Sequence, residues 1–407
     1  MSRLGSPAFA ATLHREDATS AMPRRTLSVT QVSVLPDPER RAPEALLEAW
    51  RTLPDVALAV ARQGARVSVV QAAAESRELE RGPVRFRFVR TRAASRLERR
   101  LGLWATPLSR PLIEAVRETR PDVIHFHGLC FPRHAGALIA ALPGAPLLVQ
   151  DHADGVPRRW RRSLHRRGLR GVAAVAFTAP EQAEPFLTAR LLSPGLPVLV
   201  VPESSSHFTP GDPQAARAET GIGGDPCLLW LGNLDANKDP HTVLDAVALL
   251  ATELPDLSLW CCFRHAPLLV EVATRVERDP ALKGRVHLLG IQPRERVERL
   301  LRAADFLVQG SHREGSGYAV IEALACGTPP VVTDIPAFRA LTGNGAVGAH
   351  FPPGDARALA GALLASCRKD RAALRREARR HFEGHLSFEA LGRSLLDAYR
   401  ALEREWT

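Results

Sequence analysis

A chain of 407 residues is longer than one hydrophobic core usually serves and suits two domains of ordinary size. With 45% hydrophobic and 24% charged residues it has a globular composition, and its long apolar stretches are all interrupted, short of the roughly 18 to 20 residues of a membrane span. A net charge of +10 points to an anionic partner, a phosphorylated substrate or an acidic membrane; nucleic acid is set aside because no binding motif for it accompanies the charge.

Residues 1–22 mix Ser, Ala, Arg and Glu without the apolar core of a signal peptide. A disordered tail is expected there, with Met22 a candidate start. Short apolar strands then alternate with helical patterns. "LSVTQVSVL" (27–35), "RVSVVQ" (66–71), "VRFRFV" (84–89), "DVIHFH" (122–127), "PLLVQD" (146–151), "VAAVAFT" (172–178) and "PVLVVP" (197–202) read as strands, and 46–62 and 108–118 as helices. The stretch 203–226 is poor in large apolar residues and rich in Ser, Gly, Pro and Ala, which marks a domain boundary. Strands resume at "CLLWLG" (227–232), "LSLWCCF" (257–263), "RVHLLG" (285–290), "DFLVQG" (305–310), "PPVVT" (329–333) and "AVGAHF" (346–351). An amphipathic pattern over 387–405 closes the chain as a long helix.

The alternation predicts an α/β fold of two Rossmann-like, doubly wound domains facing a cleft, with ligands beyond the carboxyl ends of the strands. The expected divisions are a tail (1–22), a first Rossmann-like domain (23–205) and a second (206–384). The last segment, 385–407, is a helix for which a return to the first domain stays open. The cysteines at 130, 227, 261, 262, 326 and 367 form no CxxC pair, and several lie in apolar runs. Buried free thiols in a reducing cytosol are the simpler account of them.

Residues 313–327, "REGSGYAVIEALACG", carry the strongest local signal. A strand ends in "DFLVQG", a loop with Gly315 and Gly317 follows, and a helix is expected from Tyr318 to about Ala325, stopped at Gly327. The glycines let backbone approach a ligand closely, and the N–H groups of the helix start favour an anion, above all phosphate. Glu314 lies just before that point, and Glu322 one turn into the helix. A carboxylate accepts two hydrogen bonds and so suits paired sugar hydroxyls. Taken alone, the same residues also fit a capping Glu314 and a solvated Glu322; the wider context favours the sugar nucleotide.

That context is a set of segments in order. "EGSGYAVIEALACGTPPVVTDIPAFRAL" resembles the E-x7-E segment of retaining glycosyltransferases of family 4, whose architecture is GT-B. "WLGNLDANKDPHTVLDA" (230–246), "VHLLGIQPRERVERLLRAADFLV" (286–308) and "RPDVIHFHG" (120–128) are similar to further segments of that family. The likeness covers roughly 120–400, and its motifs are specific as a set. The resemblance implies transfer of a hexose-type sugar from a nucleotide-diphosphate donor with retention of configuration, without a cofactor and without an obligatory metal. It also implies roles by position. Lys238, with the N–H groups of Gly315, Ser316, Gly317 and Tyr318, would meet the diphosphate. Glu314 would hold the donor sugar and Glu322 the ribose, while Gly290 and Ile291 would meet the base through main-chain groups. His127 would face the sugar near the reaction centre, so that His127 and Glu314 are the expected catalytic residues; His125 is left out as pointing the other way.

Two departures stand out. Many relatives carry Arg where this chain has Asn233, and one unit charge about 4 Å from a phosphate is worth about 4 kcal/mol at an effective dielectric of 20. Arg264 and Arg313 are the candidates to replace it. The segment 35–50 has no glycine, where relatives often have a glycine-rich turn. A sugar-nucleotide-binding protein without turnover and a sugar-nucleotide epimerase are therefore the competing readings. Finally, "RRWRRSLHRRGLR" (158–170) has seven arginines with Trp160 and Leu164. It is read either as a solvated basic helix or as a peripheral contact with an anionic membrane, on the inner face of which a cytoplasmic enzyme would reach a glycan, lipid-linked or small-molecule acceptor.

Overall fold

The computed structural model describes residues 25–35, 37–92 and 108–406; the expected tail at 1–22 lies outside them. The first sheet contains β1 (Ser28–Ser33), β2 (Arg66–Ala73), β3 (Arg77–Arg81), β4 (Val84–Arg90), β5 (Val123–His127), β6 (Leu147–Gln150), β7 (Ala174–Phe177) and β8 (Val198–Val200). Their order is β3-β4-β2-β1-β5-β6-β7-β8, parallel except for β3. The second sheet contains β9 (Cys227–Gly232), β10 (Ser258–Phe263), β11 (Val286–Gly290), β12 (Phe306–Gln309), β13 (Pro330–Thr333) and β14 (Ala349–Phe351), all parallel in the order β11-β10-β9-β12-β13-β14. In each sheet the strand order reverses beside its first strand, which opens a crevice at the carboxyl ends. The central strands β1, β5, β6, β7, β12 and β13 are buried along their whole length, as parallel strands covered on both faces must be.

Three local differences from the sequence reading have clear causes. "RELER" forms β3, an edge strand whose Glu78 and Glu80 lie opposite Arg87 and Arg85. Charge along a sheet edge discourages pairing with other chains, and it also removes the apolar pattern by which strands are recognised. The single helix expected over 46–62 is two, Pro43–Ala49 and Thr52–Arg62, broken where Trp50 takes ψ 69°. The boundary stretch 203–226 contains the helix Pro213–Thr220, capped by the Asp212 carboxylate accepting from the Gln214 N–H. The glycine-free turn after β1 is organised by Asp37, which accepts from the backbone N–H groups of Glu39 and Arg41.

The last helix, Phe388–Trp406, lies on the first domain rather than the second. Leu391, Leu395, Leu396, Tyr399 and Leu402 are buried in the same core as Val56 and Val60. Full burial of such a leucine stabilises by roughly 1.5–3 kcal/mol. Gly392 permits the contact, since a Cβ there would come 2.4 Å from the Ala59 carbonyl oxygen. The Tyr399 hydroxyl lies 2.6 Å from His125 Nδ1. The chain thus passes between the domains twice, near 201–212 and again after the short π turn Phe382–Leu386. The two passages touch, the His207 and Phe388 rings lying 4.4 Å apart. No described helix is long and apolar enough to cross a membrane. All six cysteines are free; four are buried, Cys367 is partly so, and Cys130 is exposed, contrary to the expectation of buried thiols throughout.

Candidate active site

The carboxyl ends of β9, β10, β11 and β12 open into a cavity of ≈ 530 Å³. Asn233, Lys238, Gly290, Ile291, Glu314, Gly315, Ser316, Gly317, Tyr318 and Glu322 all line it. Lys238 follows β9 on a turn in which its N–H donates to Asp235 Oδ1. Its ammonium is ion-paired with the Glu314 carboxylate, the two side chains only 18% and 12% exposed. The loop carrying Glu314 is held from below by Asn237, whose side chain donates to the Arg313 carbonyl and whose own carbonyl accepts from the His312 N–H.

Gly317 takes φ 70°, the left-handed region, as N-cap of the helix Tyr318–Ala325. No side chain caps this helix, so its first N–H groups stay open at the cavity wall. Ser316 is 5% exposed, and its hydroxyl has no partner among the described residues. A cation, free amides and an unsatisfied hydroxyl on one wall make an anion site. Glu322 sits a turn deeper, 3.5 Å from Arg294; burial pushes its carboxyl up, against the pull of that arginine. Arg264 lines the same cavity as Asn233, exposed and without an ion pair among the described residues. Arg313 does not line it.

The two domains meet across this loop. Gln182 of the first domain donates to the carbonyls of both Glu314 and Gly315 at 2.9 Å. Gly315 faces Ala153 so closely that a Cβ would lie 2.5 Å from the alanine Cβ. Arg339 pairs with Glu181 at 3.3 Å, and the Tyr318 and Thr52 hydroxyls are 3.4 Å apart.

His127 ends β5 within the sheet, 8% exposed, and lines not the first cavity but a neighbouring one of ≈ 790 Å³. Between it and the first cavity stands His152, just past β6, which lines both cavities, as do Glu203 and Tyr318. His127 Nδ1 is 2.9 Å from His152 Nε2, and His152 Nδ1 is 3.2 Å from Glu203 Oε2. Burial, with His125 and His152 adding to it, holds His127 well below the usual histidine range. Burial also opposes charge on His152, but the hydrogen bond to Glu203 and the charges of Glu203, Asp154 and Asp151 outweigh it and raise its pKa. Those directions favour the charged form at His152 and the neutral form at His127.

His125 does not point the other way. Residues two apart share a face of a strand, and the His125 and His127 rings stack at 4.4 Å. His125 remains outside the site because it is fully buried beneath Tyr399. Sequence reasoning missed His152, Glu203 and Gln182. A usable signal existed for the first two: each follows a strand of the doubly wound sheet at its carboxyl end, in "VQDH" and "VVPE".

Residues 212–381 match the family described as Glycosyl transferases group 1, and residues 49–203 match Glycosyltransferase Family 4. The chain is 35% identical over 217 residues to D-inositol 3-phosphate glycosyltransferase of Geodermatophilus obscurus, a match covering 51% of this chain and 48% of that protein. It is 26% identical over 240 residues to GDP-mannose:cellobiosyl-diphosphopolyprenol alpha-mannosyltransferase of Xanthomonas campestris, covering 57% and 60%. The matched region thus spans about half to three-fifths of the length of these curated relatives. Among solved structures, sucrose-phosphate synthase from Thermosynechococcus elongatus has a TM-score of 0.66 at 20% identity, covering 93% of this chain and all of that one. That likeness concerns the fold, which is GT-B.

Proposed function

The chain belongs to the glycosyl transferases group 1, joined to a family 4 N-terminal domain, and from that premise we propose that it is a glycosyltransferase. It moves a hexose-type sugar from a nucleotide-diphosphate donor to an acceptor, with retention of configuration and without a metal ion or cofactor. The observation that carries this reading is the wall on which Lys238, the uncapped helix start with Ser316, and the two carboxylates of Glu314 and Glu322 face one cavity.

On donor binding the Lys238–Glu314 pair opens. The ammonium turns to the diphosphate together with the N–H groups after Gly315, and Glu314 turns to hydroxyls of the sugar. Glu322 exchanges Arg294 for the ribose, and the turn Gly290-Ile291 meets the base. The bond from the sugar carbon to the diphosphate breaks and one to the acceptor oxygen forms, the acceptor proton leaving with the diphosphate. Positive groups fixed in advance stabilise the departing charge. Contact of Gly315 with Ala153 and Gln182 keeps water out while this happens. Arg264 supports full turnover despite Asn233, because it brings a cation to the same cavity.

The test is incubation with UDP- and GDP-sugars in EDTA, following free nucleoside diphosphate and the anomer formed. Continued release with the donor's configuration kept is the expected result. Loss of activity on chelation, restored by magnesium or manganese, would sink metal independence. Binding without release would make the protein a sugar-nucleotide sensor, and an altered sugar still bearing its nucleotide would make it an epimerase.

The basic run supports a second, separable expectation of cytoplasmic work at the inner face of a membrane. Residues 158–170 fold as a short turn, Arg159–Arg161, and the helix Arg162–Gly168. None of the seven arginines is in an ion pair among the described residues, and Trp160 is 65% exposed. Each such cation near an anionic leaflet contributes about 1 kcal/mol. The protein is expected to co-sediment with anionic vesicles, less so in high salt. Binding that survives replacement of Arg158, Arg159, Arg161 and Arg162 by Gln would refute a role for this run.

A further inference from the structure

The second cavity bears on the acceptor, given the transferase reading above. Its charged lining is four carboxylates, Glu48, Asp154, Glu203 and Glu295, against Arg51, Arg294 and His152, whose charged form is favoured. Both arginines are already engaged, Arg51 with Glu48 at 3.0 Å and Arg294 with Glu322 at 3.5 Å. Glu203 is shared with His152, whereas Asp154 and Glu295 are in no ion pair among the described residues. Behind Asp154 lies Asp151, whose carboxyl is pushed up to about 7 by burial and then by Asp154 itself. Carboxylates thus outnumber the cationic side chains on this wall, although the chain as a whole carries +10.

An independent observation comes from His127. It lines the same cavity, is 8% exposed, and its Nε2 has no partner among the described residues. A hydroxyl, which both donates and accepts, suits this nitrogen in either tautomer of the ring. The remaining wall carries Ser33, Thr52 and Gln71 and an apolar part, with Leu35 and Tyr318 45% and 39% exposed beside Trp50 and Phe131.

We infer that the acceptor is a hydroxylated ring compound bearing a protonated amine, of the aminosugar or aminocyclitol class, in preference to a phosphorylated one. Its hydroxyl hydrogen-bonds His127 Nε2, its ammonium lies near Asp154 and Glu295, the two carboxylates of this wall in no ion pair among the described residues, and its ring rests on the apolar part. A phosphate could turn to Arg294 once the ribose has taken Glu322 from it, but would still meet those two unpaired carboxylates.

The experiment measures affinities of glucosamine, glucose and glucose 6-phosphate by ligand-observed NMR, with the full chain saturated with UDP or GDP. Glucosamine is expected to bind more tightly than glucose, and at least about tenfold more tightly than glucose 6-phosphate. The Asp154→Asn, Glu295→Gln double variant is expected to lose the preference for glucosamine while keeping nucleotide affinity. Equal affinities across the three sugars, or a preference for the phosphate ester, overturns the inference. Failure of both nucleotides to bind overturns the transferase reading, and this inference with it.

Discussion

Replacing Lys238 by alanine is expected to lower kcat/KM on the order of 10³-fold. The ammonium is the one lysine charge on the donor cavity wall, and it sits opposite the uncapped helix start where a diphosphate fits. A unit charge about 4 Å from a phosphate contributes about 4 kcal/mol at an effective dielectric of 20, and each 1.36 kcal/mol is about tenfold in rate. The same change leaves the Glu314 carboxylate, 12% exposed, without its cation. An unpaired carboxylate of that burial costs roughly 1–3 kcal/mol of stability, so the melting temperature should fall modestly while the fold survives. Lys238→Arg, which keeps the charge, should recover part of the rate. Steady-state kinetics beside thermal melts separate the two effects. A Lys238→Ala variant within tenfold of wild type would remove the lysine from the donor site.

The second large effect is expected at His152, which lines both cavities together with Glu203 and Tyr318. His152→Ala should lower kcat/KM at least about 10²-fold, the scale on which a positioned histidine acts. Its pH signature is specific. Glu203, Asp154 and Asp151 raise the His152 pKa against the effect of burial, so the imidazolium persists above the ordinary histidine value of about 6.5. Activity should therefore hold at lower pH and decline as pH rises through the raised pKa. The stability contribution has the same sign: it is fully present below the unfolded-state pKa and is lost as pH rises through the folded one. His152→Ala should abolish that alkaline decline in both kinetics and melting. An alkaline limb unchanged in the variant would mean that another group sets it.

How far these features could be read in advance depended on how local they are. The central strands β5, β6 and β12 announce themselves because parallel strands buried on both faces are unbroken apolar runs. Strand β3 is hidden because its sheet-edge position calls for charge. Glu314, Gly317 and Glu322 lie within nine residues of one another, and a helix brings their spacing to a single wall whatever the rest of the chain does. His152 and Glu203 are 51 residues apart and meet only because β6 and β8 end on the same edge of one sheet. No local pattern encodes that meeting. His127 was legible as the end of its strand, but its position behind His152, on the second cavity rather than the first, depends on how the next strand ends and has no local signal.

The paired passages between the domains have a mechanical consequence. Two bodies joined by one flexible strand can swivel in any direction, whereas two adjoining strands act as a door hinge with a single axis. Here that axis runs through the contact of the tilted His207 and Phe388 rings, and the π turn Phe382–Leu386 supplies a locally irregular helix at the pivot. Every closing stroke must then return Gln182 to the same two carbonyls of the Glu314 loop and Ala153 to the same face of Gly315. The spacing between His152 on one leaf and the Lys238–Glu314 pair on the other is thus set by the pivot itself, before either substrate has entered.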